Sequence, residues 1–111
     1  GWLDLPFLRY ACMLNGVTEL IMMKADVLDN FEELKVCTSY LYKNNITEEI
    51  PFDSASNLIP QYQSLKGWKS FDITEEIPQE MKTYIAFIEK YLDLKIKLVS
   101  VGPDRTQNIE L

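Results

Sequence analysis

Histidine is absent from the sequence, and glycine occurs only four times in 111 residues. The first absence removes a whole group of chemistries: neither a Ser-His-Asp triad nor a histidine-ligated metal can be built from this chain. The second leaves no Gly-x-x-x-x-Gly-Lys-[Ser/Thr] loop and no glycine cluster to replace one, so the phosphate end of a nucleotide site is missing here. Long apolar runs are missing too. Leu20–Met23 is far too short to cross a bilayer, and neither a membrane span nor a signal peptide is expected. Basic residues are outnumbered, 11 against 17 acidic, for a net charge of −6. That balance argues against a nucleic-acid partner, which wants a clustered basic face. It does not exclude a nucleotide, whose few phosphates need only local donors.

The two cysteines, Cys12 and Cys37, lie in apolar patterns with no basic residue beside either. They read as buried free thiols of a reduced, cytoplasmic protein, with a disulfide or a nucleophile as the alternatives. Hydrophobic residues make up 47% and charged residues 25%, the composition of a globular chain whose length fits one domain. The first residues, Gly1-Trp2-Leu3-Asp4, lack an initiator methionine, as a processed protein or a piece of a longer one would.

Asp4 is placed to cap a helix with Pro6 in its first turn, a stripe of Leu5, Leu8, Cys12 and Asn15, and Gly16 as its stop. The run Leu20–Met23 fits a strand buried on both faces, as in a parallel sheet. Leu34, Val36, Thr38, Tyr40 and Tyr42 alternate with their neighbours in strand period. Asn44-Asn45 follows as a tight turn, residues 46–52 return with Pro51 at an edge, and 60–66 add a third short strand. This stretch, about 34–66, reads as a small antiparallel insertion. Met81, Tyr84, Ile85, Ile88 and Leu92 repeat at three and four residues, the clearest helix signal in the chain, from Gln79 to Leu92. A strand over Ile96–Val101 then runs into Gly102-Pro103-Asp104-Arg105 and a polar tail. The order predicts an α/β fold with an antiparallel excursion. The hexapeptide Ile-Thr-Glu-Glu-Ile-Pro occurs at both 46–51 and 73–78. Its flanks differ, and a duplicated structural unit would match over a longer span, so it reads as coincidence with solvated glutamates.

Two candidate ligand loops stand just past predicted strand ends, where open α/β sheets bind their ligands. One is Lys24-Ala25-Asp26; the other is Ser100–Pro103. They share an edge if the two strands are parallel neighbours. Guanine offers N1–H and the exocyclic N2–H₂ side by side, and one carboxylate accepts both in a charge-assisted pair. Adenine offers an acceptor at N1 and no amine at C2, so the same carboxylate repels it. A lysine stem can cover the flat face of the base, and Lys24 and Asp26 lie on one side if the chain stays extended. Gly102 lets the backbone approach guanine O6, and Pro103 presents a rigid wall. Taken singly, Lys24-x-Asp26 fits a solvated loop pair equally well, and Val-Gly-Pro-Asp-Arg is a turn.

Longer stretches carry a resemblance. Gly1-Trp2-Leu3-Asp4, Leu20-Ile21-Met22-Met23-Lys24-Ala25-Asp26-Val27-Leu28, Leu34-Lys35-Val36-Cys37 with Tyr40, Gly67-Trp68, and Val99-Ser100-Val101-Gly102-Pro103-Asp104-Arg105-Thr106 resemble, in order, the adenylosuccinate synthetase family. The resemblance spans essentially the whole chain and corresponds to roughly the last quarter of a family member. Departures are Lys66, where the family often has proline, and the unplaced linker 53–58. The family joins IMP and L-aspartate at the expense of GTP and Mg²⁺ to give adenylosuccinate, and works as a homodimer. What the resemblance implies is a piece of a P-loop-NTPase-like parallel sheet with a small hairpin insertion, forming over 1–111 the C-terminal guanine-binding segment. In it Asp26 resembles the guanine-reading carboxylate, Lys24 the lysine over the base, and Ser100, Gly102 and Pro103 the opposite wall. No catalytic or metal-binding residue is implied within this chain. The Mg²⁺ site, the IMP and aspartate contacts and the phosphate loop lie upstream in the family, so the segment by itself is expected to be inactive. The alternatives are a ligand-free structural or assembly domain and a stand-alone guanine-nucleotide module.

Overall fold

The computed structural model describes residues 2–22, 25–49, 58–71, 76–101 and 108–111, with the backbone alone at 26, 27 and 108. It is a mixed α/β structure in two compact units, Gly1–Val17 with Lys35–Ser64, and Thr18–Leu34 with Leu65–Leu111.

In the first unit, strand β1 (Leu3–Asp4) runs directly into helix α1 (Leu5–Leu14). Asp4 is the N-cap, its Oδ1 accepting from the Phe7 N–H at 3.1 Å, with proline in the first turn. Gly16 follows the helix at φ +61, the left-handed conformation in which a glycine stop is useful. β1 is parallel to β3 (Glu33–Tyr42), pairing Leu3 with Val36 and Asp4 with Cys37. β3 turns back antiparallel into β4 (Asn45–Thr47). Lys43 and Asn44 carry the positive φ values of that turn and Tyr42 pairs with Asn45, so the turn sits one residue earlier than Asn44-Asn45 predicts. The pairing decides this: the two residues between the closing pair must both be left-handed in such a hairpin. β5 (Ile59–Lys66) is the expected third strand and pairs with β3. Leu34, Val36 and Tyr40 are buried, as the alternation predicts, and Cys37 is buried too. The residues 50–57, with Pro51 and most of the unplaced linker, lie outside the described residues.

Both cysteines are free and buried, as expected of a reduced protein. Arg9 forms an ion pair with Glu48 at 3.3 Å, so at least one glutamate of the repeated hexapeptide has a partner rather than solvent alone. Asp4 does a second job. Its Oδ2 accepts a hydrogen bond from the hydroxyl of buried Tyr40. Asp4→Ala therefore loses a helix cap and leaves a buried hydroxyl without its acceptor, an expected cost of about 2–3 kcal/mol. Asp4→Asn should recover much of it, and a double-mutant cycle with Tyr40→Phe in urea unfolding measures the shared part.

The same cluster sets a response to alkali. Burial, reinforced by the Asp4 carboxylate, raises the ionisation of Tyr40 far above its ordinary 10.0 and that of Cys37 above 9.0. Both groups hold their protons more tightly folded than unfolded. Their contribution to stability is complete below the ordinary values and is lost as the pH climbs past about 9 to 10. Urea midpoints measured from pH 8 to 11 should fall over that window, and less steeply in Tyr40→Phe.

The second unit holds a three-stranded sheet in the order β2 (Glu19–Met22), β6 (Lys95–Ser100), β7 (Asn108–Glu110). β2 and β6 are parallel; β6 and β7 are antiparallel. Helix α2 (Gln79–Leu92) packs on β6 and buries Met81, Tyr84, Ile85, Ile88 and Leu92, the stripe that the sequence shows. Asp93, left-handed at φ 54, ends the helix, and the Glu89 carboxylate accepts from the Ile96 N–H at 2.8 Å, fixing the entry to β6. Two expectations change. β2 is not buried on both faces: Ile21 is 59% exposed, because no described element of its unit covers that face of the sheet. The polar tail contains a strand, β7, whose Ile109 pairs with Val99.

Candidate functional site

The parallel pairing of β2 and β6 tests the geometric condition on the two candidate loops. Glu19 pairs with Lys95, Leu20 with Ile96, Ile21 with Leu98 and Met22 with Val99, with a register shift between Leu20 and Ile21. The C-terminal ends of both strands therefore lie at one edge of the sheet. Beyond β2, a 3-10 helix (Ala25–Leu28) packs beside β6, with Ala25 buried. Asp26 is its second residue. Because Ala25–Leu28 is helical, the backbone is not extended at Asp26. Lys24, Gly102 and Pro103 lie outside the described residues. Ser100 is the last residue of β6, buried, and stands opposite Asn108 of β7. Since β6 and β7 are antiparallel neighbours, β7 begins at the same edge at which β2 ends.

The structure joins a group of residues that no local pattern in the sequence connects. The segment after the 3-10 helix is clasped to the segment after β5. The Asn30 N–H donates to the Trp68 carbonyl at 2.8 Å and the Gly67 N–H to the Glu32 carbonyl at 3.0 Å. The Ser70 N–H donates to Asn30 Oδ1 at 3.0 Å, and Trp68 Nε1–H to Asp29 Oδ1 at 2.9 Å. Asn30 takes φ 68, which asparagine tolerates better than most residues. Trp68 is 3% exposed and meets the Tyr84 ring of α2 edge-on, centroids 5.5 Å apart. Burial also raises the Tyr84 hydroxyl above its ordinary ionisation, so it stays neutral. Gly67-Trp68 was visible in the sequence as part of a resemblance. Its partners Asp29 and Asn30 were not, since nothing local says that a loop forty residues upstream lies beside it.

Among the described residues no group of three or more His, Cys, Asp or Glu side chains could hold a metal ion, and no helix is long and apolar enough to cross a membrane. The fold and this edge thus define a mixed α/β segment whose parallel strand ends converge on one loop-bearing rim.

The family model described as adenylosuccinate synthetase matches residues 1–109. The chain belongs to the adenylosuccinate synthetase family. It is 53% identical to the adenylosuccinate synthetase of Flavobacterium psychrophilum, over 98% of this chain and 27% of that protein. It is 46% identical to that of Bacteroides thetaiotaomicron, over 99% and 27%. The structure of fully ligated adenylosuccinate synthetase from Plasmodium falciparum superposes with a TM-score of 0.89 at 32% identity, covering 100% of this chain and 28% of that one. The chain therefore spans about a quarter of the length of the relatives that it matches.

Proposed function

We propose that this segment supplies the guanine-base pocket of a GTP-dependent ligase that joins IMP and L-aspartate to give adenylosuccinate. The observation that supports the reading is the parallel register of β2 and β6, which ends the two strands, at Met22 and at Ser100, on one edge of the sheet. At that edge the Asp26 carboxylate accepts from guanine N1–H and N2–H₂, and the Lys24 stem covers one face of the base. Ser100, Gly102 and Pro103 form the facing wall, with a backbone N–H for O6. The chain's own contribution is recognition and orientation of the base. GTP supplies the phosphoryl group, and the residues for the phosphates, Mg²⁺, IMP and L-aspartate belong to the remainder of a full-length family member. A P-loop-like parent sheet, the role of about 34–66 as an insertion, and a homodimeric working form belong to the same reading. Two buried free thiols fit a reducing compartment such as the cytoplasm.

The test is adenylosuccinate formation by the full-length protein with GTP, ATP and XTP, comparing wild type with Asp26→Asn. Wild type is expected to use GTP, and the variant to lose GTP and gain XTP. Equal preference for GTP in both would sink the assignment of Asp26.

A further inference from the structure

We infer that Trp68 and Asp29 are a positioning pair for the base-reading carboxylate, and so help determine guanine specificity without touching the nucleotide. The inference rests on the reading of Asp26 given above. Asp26 lies between two fixed points. On one side Ala25 is buried, in a 3-10 helix that packs beside β6. On the other, Asp29 is the first residue beyond that helix, and its carboxylate accepts the Trp68 indole N–H at 2.9 Å. Trp68 is itself buried and edge-on against Tyr84 of α2. The Asn30–Trp68 and Asn30–Ser70 hydrogen bonds continue the attachment. A connected path therefore runs from α2 through Tyr84, Trp68 and Asp29 to the short helix that carries Asp26.

A four-residue 3-10 helix has little stability of its own. Its position is set by what holds its ends. Bidentate recognition tolerates displacements of only a few tenths of an ångström, so the anchor at the far end of this helix bears directly on where the backbone of residue 26 is held. The anchor is specific in chemistry. It uses the indole N–H, which phenylalanine lacks, and a side-chain oxygen, which asparagine keeps.

The experiment measures kcat/KM of the full-length protein with GTP and with ITP, which lacks the 2-amine, together with KM for IMP and L-aspartate. Trp68→Phe keeps the ring against Tyr84 and removes the donor. It is expected to lower the GTP-over-ITP ratio by about tenfold, chiefly through KM for GTP, with KM for the other substrates unchanged. Asp29→Ala should reproduce this loss. Asp29→Asn, whose amide oxygen can still accept from the indole, should restore most of the ratio. The double variant Trp68→Phe, Asp29→Ala should be no worse than either single change, since both break one bond. If Trp68→Phe does not fold, the Asp29 pair decides. A lower melting temperature with an unchanged GTP-over-ITP ratio in Trp68→Phe and Asp29→Ala, while Asp26→Asn still switches to XTP, would show a clasp that only stabilises, and the inference falls. If Asp26→Asn leaves the preference for GTP intact, the base reading itself fails, and the positioning role fails with it.

Discussion

Gly67→Ala is expected to destabilise the unit formed by Thr18–Leu34 and Leu65–Leu111 by about 3 kcal/mol or more. A Cβ at residue 67 would lie 1.8 Å from the Phe31 carbonyl oxygen, 2.7 Å from its carbon and 3.2 Å from the Glu32 carbon. All three are backbone atoms, so no side chain can rotate away. The two segments must separate, and separation threatens the hydrogen bonds of the whole clasp: Gly67 to Glu32, Asn30 to Trp68, Ser70 to Asn30 and Trp68 to Asp29. Each contributes about 1 kcal/mol net, and losing the packing of Trp68 adds to the sum. Gly16 makes the contrast: a Cβ there meets nothing within 4 Å, and only its positive φ opposes a side chain. Hydrogen exchange at the Asn30 amide, together with Trp68 fluorescence, reads the clasp directly. Wild-type protection of that amide in Gly67→Ala would mean that the loop shifts at little cost and that the close approach is not needed.

Asp26→Asn is expected to lower kcat/KM for GTP by tens to hundreds of fold, equivalent to about 2–4 kcal/mol. An ionised carboxylate accepts both guanine donors. In the amide one oxygen becomes an NH₂ that faces an N–H of the base, so one bond is lost, one repulsion is gained, and the charge assistance disappears. Xanthine carries a second carbonyl oxygen where guanine carries its amine. The amide can donate to that oxygen while still accepting N1–H, which reverses the preference. The size of the effect depends on the base being held at the end of β2, as the paired ends of β2 and β6 support. A competition assay with GTP and XTP at equal concentration gives the ratio in one experiment. A variant that loses activity with every nucleotide equally would point to damage at the rim instead of lost recognition.

The amino-acid pattern by itself determined the elements whose forces are local. Asp4 with Pro6 specified the start of α1, and the apolar stripe from Met81 to Leu92 specified α2 and its buried face. Alternation from Leu34 to Tyr42 specified β3, and the polar turn after it specified a hairpin. The proposal of Lys24, Asp26, Ser100, Gly102 and Pro103 as a guanine-reading set rests on residue chemistry and family resemblance. Tertiary structure decided what depends on partners distant in sequence. A three-residue strand carries almost no periodicity, so in the sequence β7 is a polar tail whose one signal is the Asn108-Ile109-Glu110-Leu111 alternation; pairing with β6 makes it a strand. The exposure of Ile21 depends on which element covers that face of the sheet, and nothing local to residues 20–23 records it. The parallel register of β2 and β6 and the joining of Asp29 and Asn30 to Gly67 and Trp68 are likewise contacts across long loops. Hydrophobic period and capping act within a few residues and are written in the order of the chain, whereas register, edges and close backbone approach exist only once distant segments meet.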